Sequence, residues 1–341
     1  MYLTPDAVEA EHLQSGISRD GTPTVLLVTC NRVECIWLGE SSAPDDVFDR
    51  WMHERAAEHG ASFETSAVAR YEGLDAVLHL LRVATGLESQ LQGDSDILGQ
   101  VRMAWSKARR SGFTSTALDR VFERVVNSTR HVRLDAGFDD ASRTIGRAAA
   151  DVLDERLGSR WGTARVLVLG SGAAATSALD ALRRFAPNAI AVSSRTDARA
   201  EDVARKRVGV QCVPWGDRTS AIAGADVVVF ALRTAQPVAH EANVASLVAD
   251  RTQRALWADL GMPPNVQPTV RHDALEILSL GTLVTWRELE VASSRRALAA
   301  LEREHDLIVS HFERRRQGLT VAAMDASRGP SECACAVPRI A

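Results

Sequence analysis

A cysteine in a short polar turn is the first candidate for chemistry in this chain. Cys30 follows an uncharged run of β-branched and aliphatic residues and stands between Thr29 and Asn31-Arg32. Thiolate is the nucleophilic form of cysteine, and a nearby arginine favours it. A cysteine in such a turn is more often a small buried apolar residue. The turn by itself leaves both a catalytic and a structural role open for Cys30.

His79 is the histidine that could assist such a nucleophile. It stands between Leu78 and Leu80 on a stretch with helical periodicity, and His53 lies on another helical stretch. A histidine on an apolar helix face is usually a core residue with a hydrogen-bond partner.

A glycine-rich loop later in the chain has the form of a dinucleotide fingerprint. It joins an apolar strand to a helix and reads Gly170-Ser171-Gly172-Ala173-Ala174-Ala175. The first glycine allows the tight turn, and the second lets a pyrophosphate approach backbone N–H groups at the helix N-terminus. The residues predicted to bind the cofactor are Gly170, Ser171, Gly172, Ala173 and Ala174. The alternative is a glycine-bearing turn that binds nothing.

The end of the next strand indicates which dinucleotide would bind. Where an NAD enzyme carries an acid for the ribose hydroxyls, this chain has Ser194-Arg195-Thr196. An arginine among small hydroxyl residues suits a 2′-phosphate, so these three residues predict NADPH as the cofactor. Arg195 on a solvated loop is the alternative.

Composition restricts the class of protein. The 341 residues are 45% hydrophobic and 25% charged, enough for a sizeable core in two domains, and the net charge of −4 argues against indiscriminate nucleic-acid binding. No signal sequence or membrane-length apolar run is present, so we predict a cytoplasmic protein without membrane contact. The cysteines are odd in number and scattered, which disfavours a disulfide scaffold and a zinc site: Cys30, Cys35, Cys212, Cys333 and Cys335. Four arginines form either a phosphate-binding cluster or a solvated helix face: Arg120, Arg124, Arg130 and Arg133.

The pattern of predicted helices and strands changes near residue 164. Before it, a weak helix (6–14) and two strands (24–28 and 35–38) precede helical patterns that end with 140–157. After it, strands and helices alternate, which predicts a parallel, doubly wound sheet of Rossmann type. Its predicted strands are 166–169, 189–193, 208–213, 226–231, 254–259 and 276–279, with helices at 176–185 and 198–207. The predicted fold class is α/β, with an N-terminal α+β catalytic domain, a Rossmann domain and a long C-terminal spinal helix.

Five segments follow from this pattern. We expect a catalytic and substrate domain over 1–137, a linking helix over 138–160 and an NADPH-binding Rossmann domain over 161–285. The spinal helix is expected over 286–320, since apolar residues recur there at seven-residue spacing. A disordered tail is expected over 321–341.

Three stretches of the chain resemble glutamyl-tRNA reductase. Residues 29–34 match the T-C-N-R-x-E signature of that family, and residues 79–89 resemble its H-L-x-R-V-A-x-G-L-x-S segment. Residues 93–101, the nucleotide loop, Arg195-Thr196, Asp259 and Pro263 follow in the family's order. The similarity extends over about residues 5–315.

The resemblance implies a mechanism with named residues. Cys30 would attack the ester of an aminoacyl-tRNA, releasing tRNA and leaving a thioester that NADPH reduces to an amino aldehyde. Arg32 would grip the glutamate side-chain carboxylate, and His79 would orient the substrate or move a proton. Thr29 and Ser89 would contact the aminoacyl group. The resemblance also implies tRNA-Glu as the partner tRNA and an aminomutase as a downstream partner, and it leaves a homodimer open.

Four departures from the family pattern fall at the substrate and assembly surfaces. The family begins with a strand carrying H-K-T-A-P-like residues, and this chain starts after it, so either the start codon is misassigned or the active-site wall differs. The usual G-E-P-Q-I reads Gly93-Asp94-Ser95-Asp96-Ile97, which places Asp94 and Asp96 at the predicted substrate site. The loop over 231–237 differs from the family's small polar run, and the helical dimerisation domain is missing.

Three hypotheses therefore stand. The first is a glutamyl-tRNA reductase of tetrapyrrole synthesis. The second is a paralogue that reduces a different aminoacyl-tRNA or activated acyl carrier in a specialised pathway. The third is a non-catalytic tRNA-binding or regulatory homologue, which the joint retention of Cys30, Arg32 and His79 disfavours.

Overall fold

The chain divides into two compact units. The computed structural model describes residues 5, 7–29, 32–58, 62–89, 91–138, 144–234, 236–248, 251, 253–286, 296–304 and 319–325. The first unit contains Met1–Asp140 together with Leu289–Ala341, and the second contains Ala141–Glu288. Both ends of the chain thus belong to one unit.

A four-stranded antiparallel sheet forms the centre of the first unit. Its strands, numbered along the chain, are β1 (Thr24–Val28), β2 (Arg32–Leu38), β3 (Ala69–Glu72) and β10 (Leu319–Asp325). The order in the sheet is β1-β2-β10-β3. Because successive side chains of a strand point to opposite faces, β1 and β2 each contribute to two cores. Leu26, Val33, Cys35 and Trp37 face one, and Val25, Leu27, Ile36 and Val321 face the other.

Helices cover both faces of this sheet. Residues of α1 and α2 pack in the core with Val33 and Trp37, while α3, α4 and α5 pack in the core with Val25 and Val321. The side chain of Ser115 caps the N-terminus of α5 by accepting from the amide of Leu118. The helices of the first unit are α1 (Ala7–Ile17), α2 (Ala43–Glu58), α3 (Gly73–Thr85), α4 (Asp96–Arg110), α5 (Thr116–Ala136) and a helix over 296–304.

The second unit is the predicted doubly wound sheet. Six parallel strands lie in the order β6-β5-β4-β7-β8-β9, and apolar cores cover both faces. Counted within the unit, this order is 3-2-1-4-5-6, the Rossmann arrangement. The strands are β4 (Arg165–Leu169), β5 (Ala189–Ser193), β6 (Val210–Cys212), β7 (Val227–Phe230), β8 (Ala255–Asp259) and β9 (Leu275–Leu278). The helices are α6 (Ile145–Leu157), α7 (Ala173–Leu182), α8 (Asp197–Arg205), α9 (Arg218–Gly224), α10 (Glu241–Leu247) and α11 (Leu280–Trp286).

The end of the chain differs from the sequence prediction. Residues 319–325, expected to end a helix and begin a disordered tail, form a strand between β2 and β3, so that part of the prediction is wrong. Its pairing partners lie more than 240 residues earlier, where local periodicity carries no signal. Of the predicted spinal helix, 296–304 is helical in the described chain, and 287–295 and 305–318 lie outside the described residues. The predicted tail from 326 onward also lies outside them.

The structure also contains elements that the sequence pattern missed. They are α2, β3, α4 and the short helices of the second unit. Within the described ranges, no helix combines the length and apolarity needed to cross a membrane.

Candidate functional site

The predicted nucleophile belongs to the connection between β1 and β2. Val28 pairs with Val33, and the amide of Thr29 donates to the carbonyl oxygen of Arg32 at 2.9 Å. Thr29 and Arg32 therefore face each other where the two strands end. Cys30 and Asn31 lie outside the described residues, so the described neighbours of the predicted nucleophile are Thr29 and Arg32.

A buried carboxylate joins two of the predicted site residues. Oε1 of Glu34 accepts from Nη1 of Arg32 at 2.6 Å and lies 3.0 Å from Nε2 of His79. Glu34 is fully buried, and Arg32 and His79 are each 7% exposed. The structure thus brings Arg32 and His79 together through a residue to which the sequence analysis gave no role. The sequence did contain one signal for Glu34, because this residue is the last position of the T-C-N-R-x-E match.

The ionisation of Glu34 follows from these two neighbours. Burial alone raises the pKa of this carboxyl, but the charges of His79 and Arg32 and their hydrogen bonds outweigh burial and hold the pKa at about 2. Glu34 is therefore ionised at neutral pH, and Nε2 of His79 carries the hydrogen that it donates to Glu34.

A tyrosine fixes the other side of the histidine. The ring of Tyr71, on β3, stacks on the imidazole of His79 with centroids 4.1 Å apart and planes 10° apart. A stacked ring and a hydrogen bond from one ring nitrogen together define the orientation of His79. The default interpretation of His79, a buried histidine with a hydrogen-bond partner, describes its surroundings, and that partner belongs to the candidate site.

The loop after α3 meets the same network. Nη2 of Arg32 donates to the carbonyl oxygen of Glu88 at 2.7 Å, and the carboxylate of Glu88 accepts from Nε of Arg82 at 2.7 Å. The amide of Ser89 donates to the carbonyl oxygen of Gly86. Arg32 binds Glu88, and the predicted substrate residue Ser89 is the next residue of the same tight turn.

Arg133 holds the rest of this loop. It is buried, and its guanidinium donates to the carbonyl oxygens of Thr85, Gly93, Asp94 and Phe138. Neither interpretation of the arginine cluster fits Arg133, because it is committed to backbone carbonyls and is not solvated. Arg120 and Arg130, in contrast, are exposed.

Asp94 and Asp96 are half-buried carboxylates where this loop meets the start of α4. The pKa of Asp94 is raised to about 6 in the folded chain. Burial is the largest cause, and the charge of Asp96 also raises the pKa, whereas the hydrogen bond from the amide of Asp96 lowers it. Burial also raises the pKa of Asp96. Both predicted substrate residues are thus held where ionisation costs free energy.

Replacing Asp94 by asparagine is expected to stabilise the protein at neutral pH. An asparagine Oδ1 can still accept from the amide of Asp96, and the substitution removes a charge from a half-buried position. The folded chain holds the proton of Asp94 more tightly than the unfolded chain, so stability from this group is present below pH 3.8 and lost by about pH 6. Asp94→Asn should raise the free energy of unfolding at pH 7.5 by about 1–2 kcal/mol. Urea unfolding across pH 3 to 8 measures it.

The gain should vanish near pH 3, where Asp94 is protonated in both states. Asp46→Asn, at an exposed aspartate, serves as the control. An equal gain at pH 3 and pH 7.5, or none at either, would contradict the expected effect.

The other described cysteines differ from a nucleophile. Cys35 lies on β2 and is fully buried in the core, and burial raises the pKa of its thiol. Cys212 is half-buried at the end of β6, and burial raises its pKa too. Neither thiol favours the thiolate form.

The glycine-rich loop of the second unit has the geometry of a phosphate cradle. Gly170 has a φ of 131°, and a Cβ there would collide with the carbonyl oxygen of Ala231. Gly172 directly precedes α7, and a Cβ there would meet no atom within 4 Å. The first glycine is therefore required by the turn, and the second borders open space at the helix N-terminus.

The residues after β5 lie beside this loop. Oγ of Ser194 is 3.1 Å from Oγ of Ser171, and Nη2 of Arg195 donates to the carbonyl oxygen of Arg233 at 2.6 Å. Thr196 precedes α8. The loops after β4, β5 and β7 thus meet at the carboxyl end of the sheet, where doubly wound folds bind nucleotides.

An asparagine that sequence reasoning missed secures the next loop. Oδ1 of Asn265 accepts from the amide of Leu232, and Nδ2 donates to the carbonyl oxygen of Leu232. Asp259 accepts from the amides of Gly261 and Val266, while burial raises its pKa to about 6. The bonds of Asn265 join the loop after β7 to the loop after β8, and those of Asp259 lie within the loop after β8.

Two family models match the chain. The first, described as Glutamyl-tRNAGlu reductase, N-terminal domain, covers residues 3–136, and the second, Shikimate / quinate 5-dehydrogenase, covers residues 152–283. The strand order, the fingerprint loop and the second match place the second unit among dinucleotide-binding folds.

Relatives extend the likeness over both units. The glutamyl-tRNA reductase of Stenotrophomonas maltophilia is 31% identical over 300 residues, 86% of this chain and 67% of the relative. That of Archaeoglobus fulgidus is 30% identical over 277 residues, 81% of this chain and 61% of the relative. The solved glutamyl-tRNA reductase from Methanopyrus kandleri is 27% identical, with 92% of this chain and 76% of that chain covered and a TM-score of 0.42.

The chain belongs to the glutamyl-tRNA reductase family. It spans about three fifths of the length of several of the curated relatives it matches.

Proposed function

We propose that this protein reduces an aminoacyl-tRNA, with glutamyl-tRNA as substrate and NADPH as reductant, to glutamate-1-semialdehyde for tetrapyrrole synthesis. The observation that carries the proposal is the buried Arg32–Glu34–His79 network beside the turn that contains Cys30, in a chain of this family.

The first step is acyl transfer. The thiolate of Cys30 attacks the ester carbonyl carbon, the S–C bond forms, and the C–O bond to the terminal ribose of the tRNA breaks. The departing oxygen takes a proton, and His79 is the proposed source or relay. Because Nε2 of His79 is bound to Glu34, Nδ1 is the ring nitrogen left for this role. Proton transfer of this kind contributes about 10²–10⁴-fold to rate.

Substrate contacts are assigned to residues around the network. Arg32 would bind the side-chain carboxylate of the glutamyl group, and its orientation is set by Glu34 and by the carbonyl oxygen of Glu88. Thr29 and Ser89 would contact the aminoacyl group. Asp94 and Asp96 would border it from the loop that Arg133 holds.

The second unit fits a nicotinamide dinucleotide. The open space at Gly172 and the amides at the start of α7 suit a pyrophosphate, and Ser193 has a buried Oγ without a hydrogen-bond partner among the described residues. When bound, the nicotinamide would supply a hydride to the thioester carbonyl carbon, and breakage of the C–S bond would release the aldehyde and return Cys30 as the thiolate. The proposed cofactor residues are Gly170, Ser171, Gly172, Ala173, Ala174, Ser194, Arg195 and Thr196.

Arg195 supports NADPH over NADH. It stands after β5, where the ribose of a dinucleotide lies in this fold, and Ser194 and Thr196 on either side carry no negative charge. A guanidinium there would bind a 2′-phosphate through charge-assisted hydrogen bonds.

A second candidate is reduction of a different aminoacyl-tRNA or activated acyl carrier. The observation favouring it is the pair of half-buried carboxylates, Asp94 and Asp96, at the end of the loop that also carries Ser89. Negative charge there opposes binding of an acidic aminoacyl group.

A panel of charged tRNAs tests the proposal. The protein is incubated with tRNAs bearing glutamate, glutamine, aspartate or alanine, each with NADPH or NADH, and aldehydes are trapped and identified. Glutamyl-tRNA with NADPH is expected to give the aldehyde, at least about tenfold faster than any other combination. Reduction of a neutral aminoacyl-tRNA in preference to the glutamyl one would replace the first candidate by the second. Equal use of NADH would remove the assignment of Arg195.

A further inference from the structure

We propose that the C-terminal strand, β10, is a positioning element of the active site: it sets the spacing between Glu34 and Tyr71, which together hold His79. The expected effect of β10 on kcat rests on the proposed function, whereas its effect on the position of His79 does not.

β10 is paired on both sides with the strands that carry these two residues. Ala323 lies opposite Glu34 of β2, Val321 lies opposite both Ile36 of β2 and Tyr71 of β3, and Asp325 lies opposite Arg32. β10 also packs against α3, the helix that carries His79. One strand therefore contacts all three elements that present the network.

The spacing of strands explains why β10 is needed. Neighbouring strands lie about 4.8 Å apart, so an intervening strand places β2 and β3 about 9.6 Å apart. His79 spans this gap: Nε2 lies 3.0 Å from Oε1 of Glu34, and the ring stacks on Tyr71 at 4.1 Å. Both contacts exist together at the separation that β10 imposes.

Without β10 the sheet would divide into a two-stranded hairpin, β1-β2, and a single strand, β3, since β3 pairs with β10 alone in the described sheet. An isolated hairpin is marginally stable. Val321 is fully buried in the core that also contains Leu80 and Leu81 of α3. The strand therefore contributes apolar packing to the core that it shares with α3, as well as hydrogen bonds.

Proline in β10 is the test in the full chain. Every residue of a centrally placed strand directs its N–H to one neighbour or the other, and Ala323 is paired on both sides, so Ala323→Pro removes a ladder hydrogen bond. Ala323→Ser, which keeps the N–H, is the matched control.

Diethylpyrocarbonate labelling of histidines, read by mass spectrometry, reports the network without any substrate. His79 is 7% exposed, and His131, whose side chain is 70% exposed, gives the internal reference. Relative to His131, labelling of His79 should rise about tenfold or more in Ala323→Pro and stay within about twofold in Ala323→Ser. Unchanged labelling of His79 in the proline variant overturns the proposal.

A double-mutant cycle separates positioning from general damage. Ala323→Pro should lower kcat by about tenfold to a hundredfold, with the Kd for NADPH changed less than about twofold. If β10 acts through His79, the same proline should lower kcat by less than about threefold in a His79→Asn background. Effects that multiply overturn the proposal.

The role of β10 can still be tested if Ala323→Pro fails to fold or if the unmodified protein is inactive. If Ala323→Pro does not fold, Ala323→Gly applies the same cycle and labelling with an expected change of about threefold, because glycine weakens a strand interior. If the unmodified protein reduces no charged tRNA, the proposed function fails, and the labelling of His79 alone decides the role of β10.

Discussion

Replacing Cys30 by alanine is expected to lower aldehyde formation by at least about a thousandfold while leaving NADPH binding unchanged. In the proposed mechanism the thiol of Cys30 forms the thioester, and the glycine-rich loop at Gly170–Ala174 belongs to the other compact unit. With radiolabelled glutamyl-tRNA and no NADPH, the unmodified protein should retain acid-stable label on about one site per chain, since the thioester then has no reductant. Cys30→Ala should retain none.

Cys35→Ala is the matched control. Cys35 is fully buried on β2, and burial raises its pKa, so it should act as a small apolar residue. Its replacement should cost stability of about 1 kcal/mol and leave the label in place. Loss of label in Cys35→Ala together with retention in Cys30→Ala would show that the nucleophile is assigned to the wrong cysteine.

Local sequence patterns predicted much of the second unit. Strands such as 189–193 are short apolar runs between turn residues, and the structure has β5 over those same residues. The glycine-rich loop was also predictable, because the backbone of the turn at Gly170 has a φ of 131°, a conformation that favours glycine whatever the rest of the fold.

Non-local contacts explain what the sequence did not reveal. Arg133 has the pattern of a surface arginine on α5, yet it binds the carbonyl oxygens of Thr85, Gly93 and Asp94, about 40 or more residues earlier. β10 is defined by strands at the other end of the chain. Glu34 was visible as a motif position, but its role depends on the fold that brings His79 within 3.0 Å.

Replacing Arg32 by leucine is expected to have the second large effect, on the preference for a glutamyl substrate. Because Arg32 also binds the buried Glu34, the substitution needs a background in which that contact is already changed. Arg32 is bound to Glu34 at 2.6 Å, and Oε2 of Glu34 has no hydrogen-bond partner among the described residues. Arg32→Leu alone would leave a buried carboxylate poorly compensated, at a cost of about 3–5 kcal/mol in stability. Lost activity in that variant could not be attributed to substrate binding.

The change is therefore made in a Glu34→Gln background, and the readout is a ratio. For one tRNA charged with either glutamate or glutamine, kcat/KM is measured in Glu34→Gln and in Arg32→Leu/Glu34→Gln. General damage lowers both values and cancels in the ratio. If Arg32 grips the substrate carboxylate, the preference for glutamate should fall by about a hundredfold or more, because a charge-assisted contact in a site that excludes water is lost.

If the preference for glutamate over glutamine survives Arg32→Leu, then Arg32 is a structural partner of Glu34 and another group selects the substrate. The reverse preference in the unmodified protein would have a physical explanation in Asp94 and Asp96, whose burial raises their pKa values and whose charges disfavour an acidic substrate. In that case Asp94→Asn should move the ratio toward glutamate, by about three- to tenfold, since it removes one negative charge from the loop. A ratio that responds to Asp94 and not to Arg32 would assign specificity to the 86–96 loop and support the paralogue that reduces an uncharged aminoacyl group.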